Sequence, residues 1–263
     1  MRVNEFDIFF ENTGNALEII GGLPSSYFYR FLGFESSFIM ATGVRSADEN
    51  YAWIKSNSYS RQLLIDVIER FNSKSLQFIW PVFPDSGVQM GLDLDEAGLL
   101  TRDTFSAMIF DSDVDSVCRI SKSDLKLRTT RALTLSDATL WANACWSGFS
   151  EGSAAEPEFI RFAQNAILSD KLRLVLGYVN NEPVGSYMLC EAKGIYISHF
   201  NVLSKWRNFG IGSFLMDEIM NYSNSISNRF LVLLATRPGK KLYEKFGFRN
   251  IAEIPIRSFY DIS

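Results

Sequence analysis

Residues 202–213 read VLSKWRNFGIGS, and their types and spacing suit the gripping of an anion. Gly210 and Gly212 carry no Cβ, so the backbone there is free to bend tightly and to approach a ligand closely. Beyond them Ile211, Phe214, Leu215, Ile219 and Tyr222 recur at helical spacing. A helix starting at this point turns its unpaired first amides and the positive end of its dipole toward the loop, an arrangement suited to a pyrophosphate, and Arg207 adds a charge. Nucleotide-binding folds and plain tight turns share a strand, a Gly-x-Gly and a helix, so the segment alone leaves both open. No Gly-Lys-Ser/Thr ending follows the glycines, which argues against phosphoryl transfer.

The elements around this loop follow from changes of period. Residues 172–179 (LRLVLGYV) and 183–190 (PVGSYMLC) read as two strands joined at Asn180-Asn181, and residues 195–203 as a third strand. The loop and its helix come next, then a continuous apolar strand over 230–235 (FLVLLA) and a short helix around 240–246 that Gly247 ends. Upstream, Ser136-Asp137 reads as a helix cap before residues 140–146, and Pro157 opens a second helix. The order from about residue 127 is β, α, α, β, β, β, α, β, α, β.

The first half reads as a worn copy of this plan. Leu64, Val67, Ile68 and Phe71 form a helical stripe, residues 76–82 (LQFIWPV) an apolar strand, and residues 92–100 (LDLDEAGLL) resemble residues 242–248 (LYEKFGF). Residues 55–61 (KSNSYSR), which precede the first copy's helix, contain no glycine, so no second phosphate loop is expected. The polar stretch 111–124 is the expected boundary, dividing the chain into residues 1–122 and 123–263.

Composition narrows the function classes. With 47% apolar and 14% aromatic residues among 263, the chain has ample material for a globular core. A formal net charge of -4 with scattered Lys and Arg excludes an obvious nucleic-acid surface. Asp7 and Glu11 interrupt any leader-like apolar run and no segment reads as a membrane span, so a cytoplasmic location without membrane contact is expected. Cys118, Cys145 and Cys190 lack paired spacing and read as reduced structural thiols. Asp93, Asp95 and Glu96 fall on a predicted helix instead of a calcium loop, and no metal is expected.

Arg207-x-x-Gly210-x-Gly212, followed by Leu234-Ala235-Thr236, Gly239 and the 242–248 motif, resembles the GNAT superfamily of N-acetyltransferases from about residue 127 onward. The repeat resembles tandem GNAT proteins whose first domain is degenerate. The resemblance implies an α/β fold of two GNAT-like domains, each a twisted, mixed but mainly antiparallel sheet flanked by helices. It also implies acetyl transfer from acetyl-CoA to an unidentified primary amine by direct attack on the thioester; a non-catalytic CoA-binding module is the alternative.

By the same resemblance, main-chain groups of Phe200 and Val202 would line the pantetheine arm. Arg207, Asn208, Phe209, Gly210, Ile211, Gly212 and Ser213 would surround the pyrophosphate, and Thr236 and Gly239 would lie beside the arm. Tyr243 matches the tyrosine that protonates the departing thiolate; its reference pKa of about 10 lets it arrive protonated. The family's base positions fall on Tyr196 and Ser198, neither of which is a convincing base. His199, the only histidine, lies one residue out of phase and is expected on the opposite face unless a bulge redirects it. Trp141, Trp146 and Phe149 are expected in the core, with an acceptor cleft as the other possibility, and Glu151 and Glu156 as solvated loop carboxylates.

Overall fold

A computed structural model describes residues 4–33, 36–113, 115, 125–150 and 152–260. The first half runs α1 (Glu5–Gly21), β1 (Tyr27–Arg30), β2 (Phe38–Ala41), β3 (Asn50–Trp53), α2 (Arg61–Asn72), β4 (Trp80–Pro81), α3 (Val88–Glu96) and β5 (Leu100–Asp111). The second runs β6 (Leu127–Arg131), α4 (Leu135–Phe149), α5 (Pro157–Ala166), β7 (Leu172–Val179), β8 (Glu182–Glu191), β9 (Ile195–Val202), α6 (Ile211–Ser225), β10 (Phe230–Ala235), α7 (Arg237–Lys245) and β11 (Arg249–Ser258). This second order is the one its periodicity predicts. The fold is a mixed α/β arrangement of helices and mixed sheets.

Short polar side chains set several helix starts. Asn4 accepts from the amide of Phe6 to open α1, and Ser60 accepts from that of Leu63 to open α2. At α4 the cap is Thr134, ahead of the Ser136-Asp137 pair expected from sequence. Its hydroxyl accepts from the Asp137 amide while the Asp137 carboxylate accepts from the Thr134 amide, a reciprocal capping box. The strand expected over residues 76–82 shrinks to Trp80–Pro81, with Ile79 before it making only an isolated parallel bridge to Tyr51. Gly98 and Gly247, at φ 85° and 86°, close α3 and α7 in the left-handed region and make the repeat visible in the backbone.

Eight strands form one sheet in the order β4-β11-β5-β10-β9-β8-β7-β6, and β1-β2-β3 form a second, antiparallel sheet. Tyr51 in β3 and Ile79 make a parallel bridge, just as β9 and β10 pair in parallel. Each half ends in a strand that sits against the other half: β5 pairs with β10, β11 pairs with β4, and β5 and β11 pair with each other. The sheet therefore crosses the expected 122/123 boundary, most of which lies outside the described residues along with Cys118.

One face of the large sheet is covered by α1, α4 and α5 through Phe9, Trp141, Phe159 and Phe162, all at most 1% exposed. The other carries α6 and α7 through Leu215, Ile219 and Phe246. Burying each such side chain contributes about 1.5–3 kcal/mol. Because α1 belongs to the first half yet lies over β9 and β10, the halves share a core. Asp93 accepts from Tyr59, Asp95 pairs with Arg257 and Glu96 with Arg61. Among the described residues no group of three or more His, Cys, Asp or Glu side chains is arranged to hold a metal.

Candidate active site

The site begins with a split between strands. β9 and β10 pair only at Ile195–Leu231 and Tyr196–Val232, so β9 from Ile197 onward has no partner on that side. On its other side β9 is bulged: Met188 faces Ser198 and Ser186 faces Asn201, leaving His199 and Phe200 opposite the single residue Tyr187. His199 has φ 52°, a left-handed conformation that costs an ordinary side chain about 1–2 kcal/mol. Local hydrogen bonds offset this. The His199 carbonyl accepts from Ser186 Oγ at 3.4 Å and from Asn201 Nδ2 at 3.3 Å. Gly148 makes room for Asn201, since a Cβ there would fall 2.2 Å from Asn201 Oδ1. The bulge is the condition under which His199 is expected to be redirected, and Tyr196, Ser198 and His199 all line the same cavity.

The imidazole lies among Trp141, Phe159 and Phe162, with ring centroids 5.6–5.9 Å away. Its Nε2 is 3.0 Å from Glu49 Oε1 and its Nδ1 is 3.1 Å from Ser198 Oγ. Glu49 as acceptor assigns the proton to Nε2 and leaves Nδ1 as a base. Burial pushes the His199 pKa down, but the charge and hydrogen bond of Glu49, with Asp48 beyond, outweigh it, and the net shift is upward. Glu49 closes a 3₁₀ turn, Ala47–Glu49, ahead of β3. Asn50, fully buried, braces that turn by donating to the carbonyls of Val44, Ser46 and Gln77 and accepting from the Thr42 amide. Asp48 beside it has its pKa raised to about 6, by burial first and by Glu49 second.

Tyr243 enters the cavity from α7 and is 7% exposed, with its ring edge-on to Phe200 and Phe248. Burial, and then Tyr196, hold its phenol well above the ordinary range, so it stays protonated. Thr236, the last residue before α7, and Phe200 line the same space. Gly239 stands one turn before Tyr243, where a Cβ would come 3.3 Å from the ring. The whole cavity has a volume of about 190 Å³ and draws Ser46, Asp48, Glu49, Tyr51, Asp103 and Phe105 from the first half.

The loop from Arg207 to Ser213 lies at the end of β9. Gly210 has φ 78° and caps α6 with no side chain over its first amides, so Ile211, Gly212 and Ser213 begin the helix with N–H groups turned outward. Asn208 at φ 67° supplies the other left-handed turn, and Phe209 is exposed. Gly212 does not bend the chain. It is the second residue of α6, and a Cβ there would stand 3.2 Å from Leu242 Cδ2, so its smallness serves helix packing. Arg207 lies across the strand end, donating from Nε to the Val202 carbonyl at 3.2 Å and from Nη2 to the Gly148 carbonyl at 3.3 Å.

The aromatic expectations divide. Trp141 is core, fully buried with Nε1 donating to the Tyr187 carbonyl, whereas Trp146 and Phe149 line the cavity. Glu156 precedes the first turn of α5, and Glu151 lies outside the described residues. Sequence reasoning missed Asp48, Glu49 and Asp103. The single signal available was a cluster of polar residues, 45–50 (RSADEN), ahead of an apolar strand.

The second half thus presents an open strand edge, a bare helix start and a buried phenol. Residues 150–258 match the family model described as an acetyltransferase (GNAT) domain. No curated protein matches the chain in sequence. Among solved structures, a tandem GNAT protein from the clavulanic acid biosynthesis pathway is 11% identical with a TM-score of 0.60, over 98% of this chain and 97% of that one. A GCN5-related N-acetyltransferase from Sphaerobacter thermophilus is 13% identical with a TM-score of 0.60, over 86% and 78%. Another from Kribbella flavida is 10% identical with a TM-score of 0.56, over 80% of each chain. Residues 150–258 thus match a GNAT acetyltransferase domain, and the chain as a whole has a fold shared with GNAT proteins, one of them tandem.

Proposed function

We propose that the chain transfers an acetyl group from acetyl-CoA to a primary amine. The observation that carries this reading is the meeting of Tyr243 with the His199–Glu49 pair in one cavity at the open edge of β9. Residues 1–122 then act as a worn GNAT-like unit without a phosphate loop, and residues 123–263 as the CoA-binding unit.

The residues fit acetyl-CoA along its length. The uncapped amides of Ile211, Gly212 and Ser213 suit the pyrophosphate, with Arg207, Asn208, Phe209 and Gly210 around it. The free edge of β9 at Phe200 and Val202 suits the amides of the pantetheine arm, facing Thr236 and Gly239. Bound there, acetyl-CoA supplies the acyl group already activated as a thioester, and strand amides near Val202 polarise its carbonyl. Ser198 Oγ takes a proton from the incoming ammonium as it gives its own to His199 Nδ1, while Glu49 holds Nε2–H and steadies the imidazolium. Tyr243 Oη keeps its proton ready for the leaving sulfur.

Thiol release from acetyl-CoA, followed across a panel of amines, tests the reading. Amine-dependent release that drops in Tyr243→Phe supports it. Thermal protection by CoA with no release for any amine would instead favour a regulatory CoA-binding module, and the absence of CoA binding would sink both.

A further inference from the structure

We propose that the acceptor is a compact cationic amine that carries no carboxylate. This rests on the transfer reading above and narrows it to a substrate class. The cavity lining brings together three carboxylates, Asp48, Glu49 and Asp103, from two separate segments of the first half. No Lys or Arg lines it among the described residues, so His199 is the one basic side chain there. His199 is already held by Glu49 and Ser198. An α-amino acid or a peptide C-terminus would therefore bring its carboxylate against like charges with nothing to pair it.

The opposite wall fits the rest of such a molecule. Trp146 and Phe149, from α4, bring aromatic surface to the same cavity, and aromatic rings favour a cation. Asp48 keeps its pKa at about 6, so it is charged at neutral pH, when the amine arrives as ammonium. Size is limiting as well. A volume of about 190 Å³ also has to admit the acetyl end of CoA, and it falls below the roughly 300 Å³ at which pockets for drug-sized ligands begin. A short arylalkylamine or alkyl diamine meets all three conditions.

Matched pairs that differ only by a carboxylate test this on the full chain: tyramine against tyrosine, cadaverine against lysine, with a lysine-containing peptide as a third arm. Expected is a kcat/KM for the carboxylate-free member about 100-fold or more above its partner, the ratio that like-charge exclusion supports. In Asp48→Asn/Asp103→Asn, with folding checked by circular dichroism, that ratio should fall about tenfold through a higher KM for the amine. Equal or better use of tyrosine, free lysine or the peptide overturns the proposal and leaves acetyl transfer standing. If no amine is acetylated, the transfer reading fails. Calorimetric titration with tyramine and tyrosine in the presence of CoA then decides: selective tyramine binding keeps the charge argument, and binding of neither or of both ends it.

Discussion

From their three antiparallel strands onward the two halves run through the same order, β-β-β-α-β-α-β, and they differ at one helix start. After β3 comes a 3₁₀ turn, Ser56–Ser58, and α2; after β9 comes a 3₁₀ turn, Ser204–Trp206, and α6. At α2 the Ser60 hydroxyl occupies the amide of Leu63, and α6 begins at left-handed Gly210 with no side chain over its amides. A capped helix start is stable and closed, while a bare one is costlier and available to an anion. The first half also contributes directly to the cavity. Its turn before β3 has become the acidic wall of the other half's cavity.

The comparison breaks most visibly at the chemistry. Tyr243→Phe is expected to lower kcat about 100-fold with little change in CoA affinity, because a buried proton donor is lost and its ring contacts are kept. Single-turnover thiol release alongside CoA titration separates the two. Gly210→Val forces a β-branched residue to φ 78° and puts bulk at the open helix start, so CoA affinity should fall about tenfold to 100-fold. Isothermal titration reads this directly.

Glu49→Gln asks whether the first half contributes to the reaction itself. Removing that charge leaves burial to dominate, so the His199 pKa drops and the acid limb of kcat against pH moves to lower pH. The plateau should fall about tenfold as the imidazolium loses its carboxylate. A purely structural Glu49 would change stability without moving the limb.

Asp48→Asn should stabilise the fold while weakening amine use. A carboxyl whose folded pKa is about 6 and unfolded pKa 3.8 is favoured when protonated, so its ionisation costs stability as pH rises through that window. The variant is expected to gain on the order of 1–3 kcal/mol at pH 7.5 and nothing below pH 3.8, by chemical denaturation at both values. The smallest effect belongs to the closed helix: Ser60→Ala should cost about 1 kcal/mol of stability and leave CoA affinity untouched.

Much of this was legible in order of local reach. Apolar period with turn and cap residues marks most of the second half, because a strand or helix there is decided by neighbours a few residues away. The first half is harder to read: the strand expected over 76–82 comes down to two residues, and α1, β1, β2 and β3 carry no signal strong enough to be assigned. At the site, Gly210 and Tyr243 announce themselves by motif, but Gly212 proved to be a packing glycine, which depends on Leu242 thirty residues later.

By itself the sequence determined the strand and helix order of the second half and the glycine start of α6, since each depends on local backbone chemistry. Tertiary structure alone decided which way His199 faces and what it meets. Its bulge needs Asn201, Ser186 and the gap at Gly148, and its partner Glu49 lies 150 residues away. Those are long-range contacts, set by how the halves exchange β5 and β11 and share α1, and no local pattern encodes them.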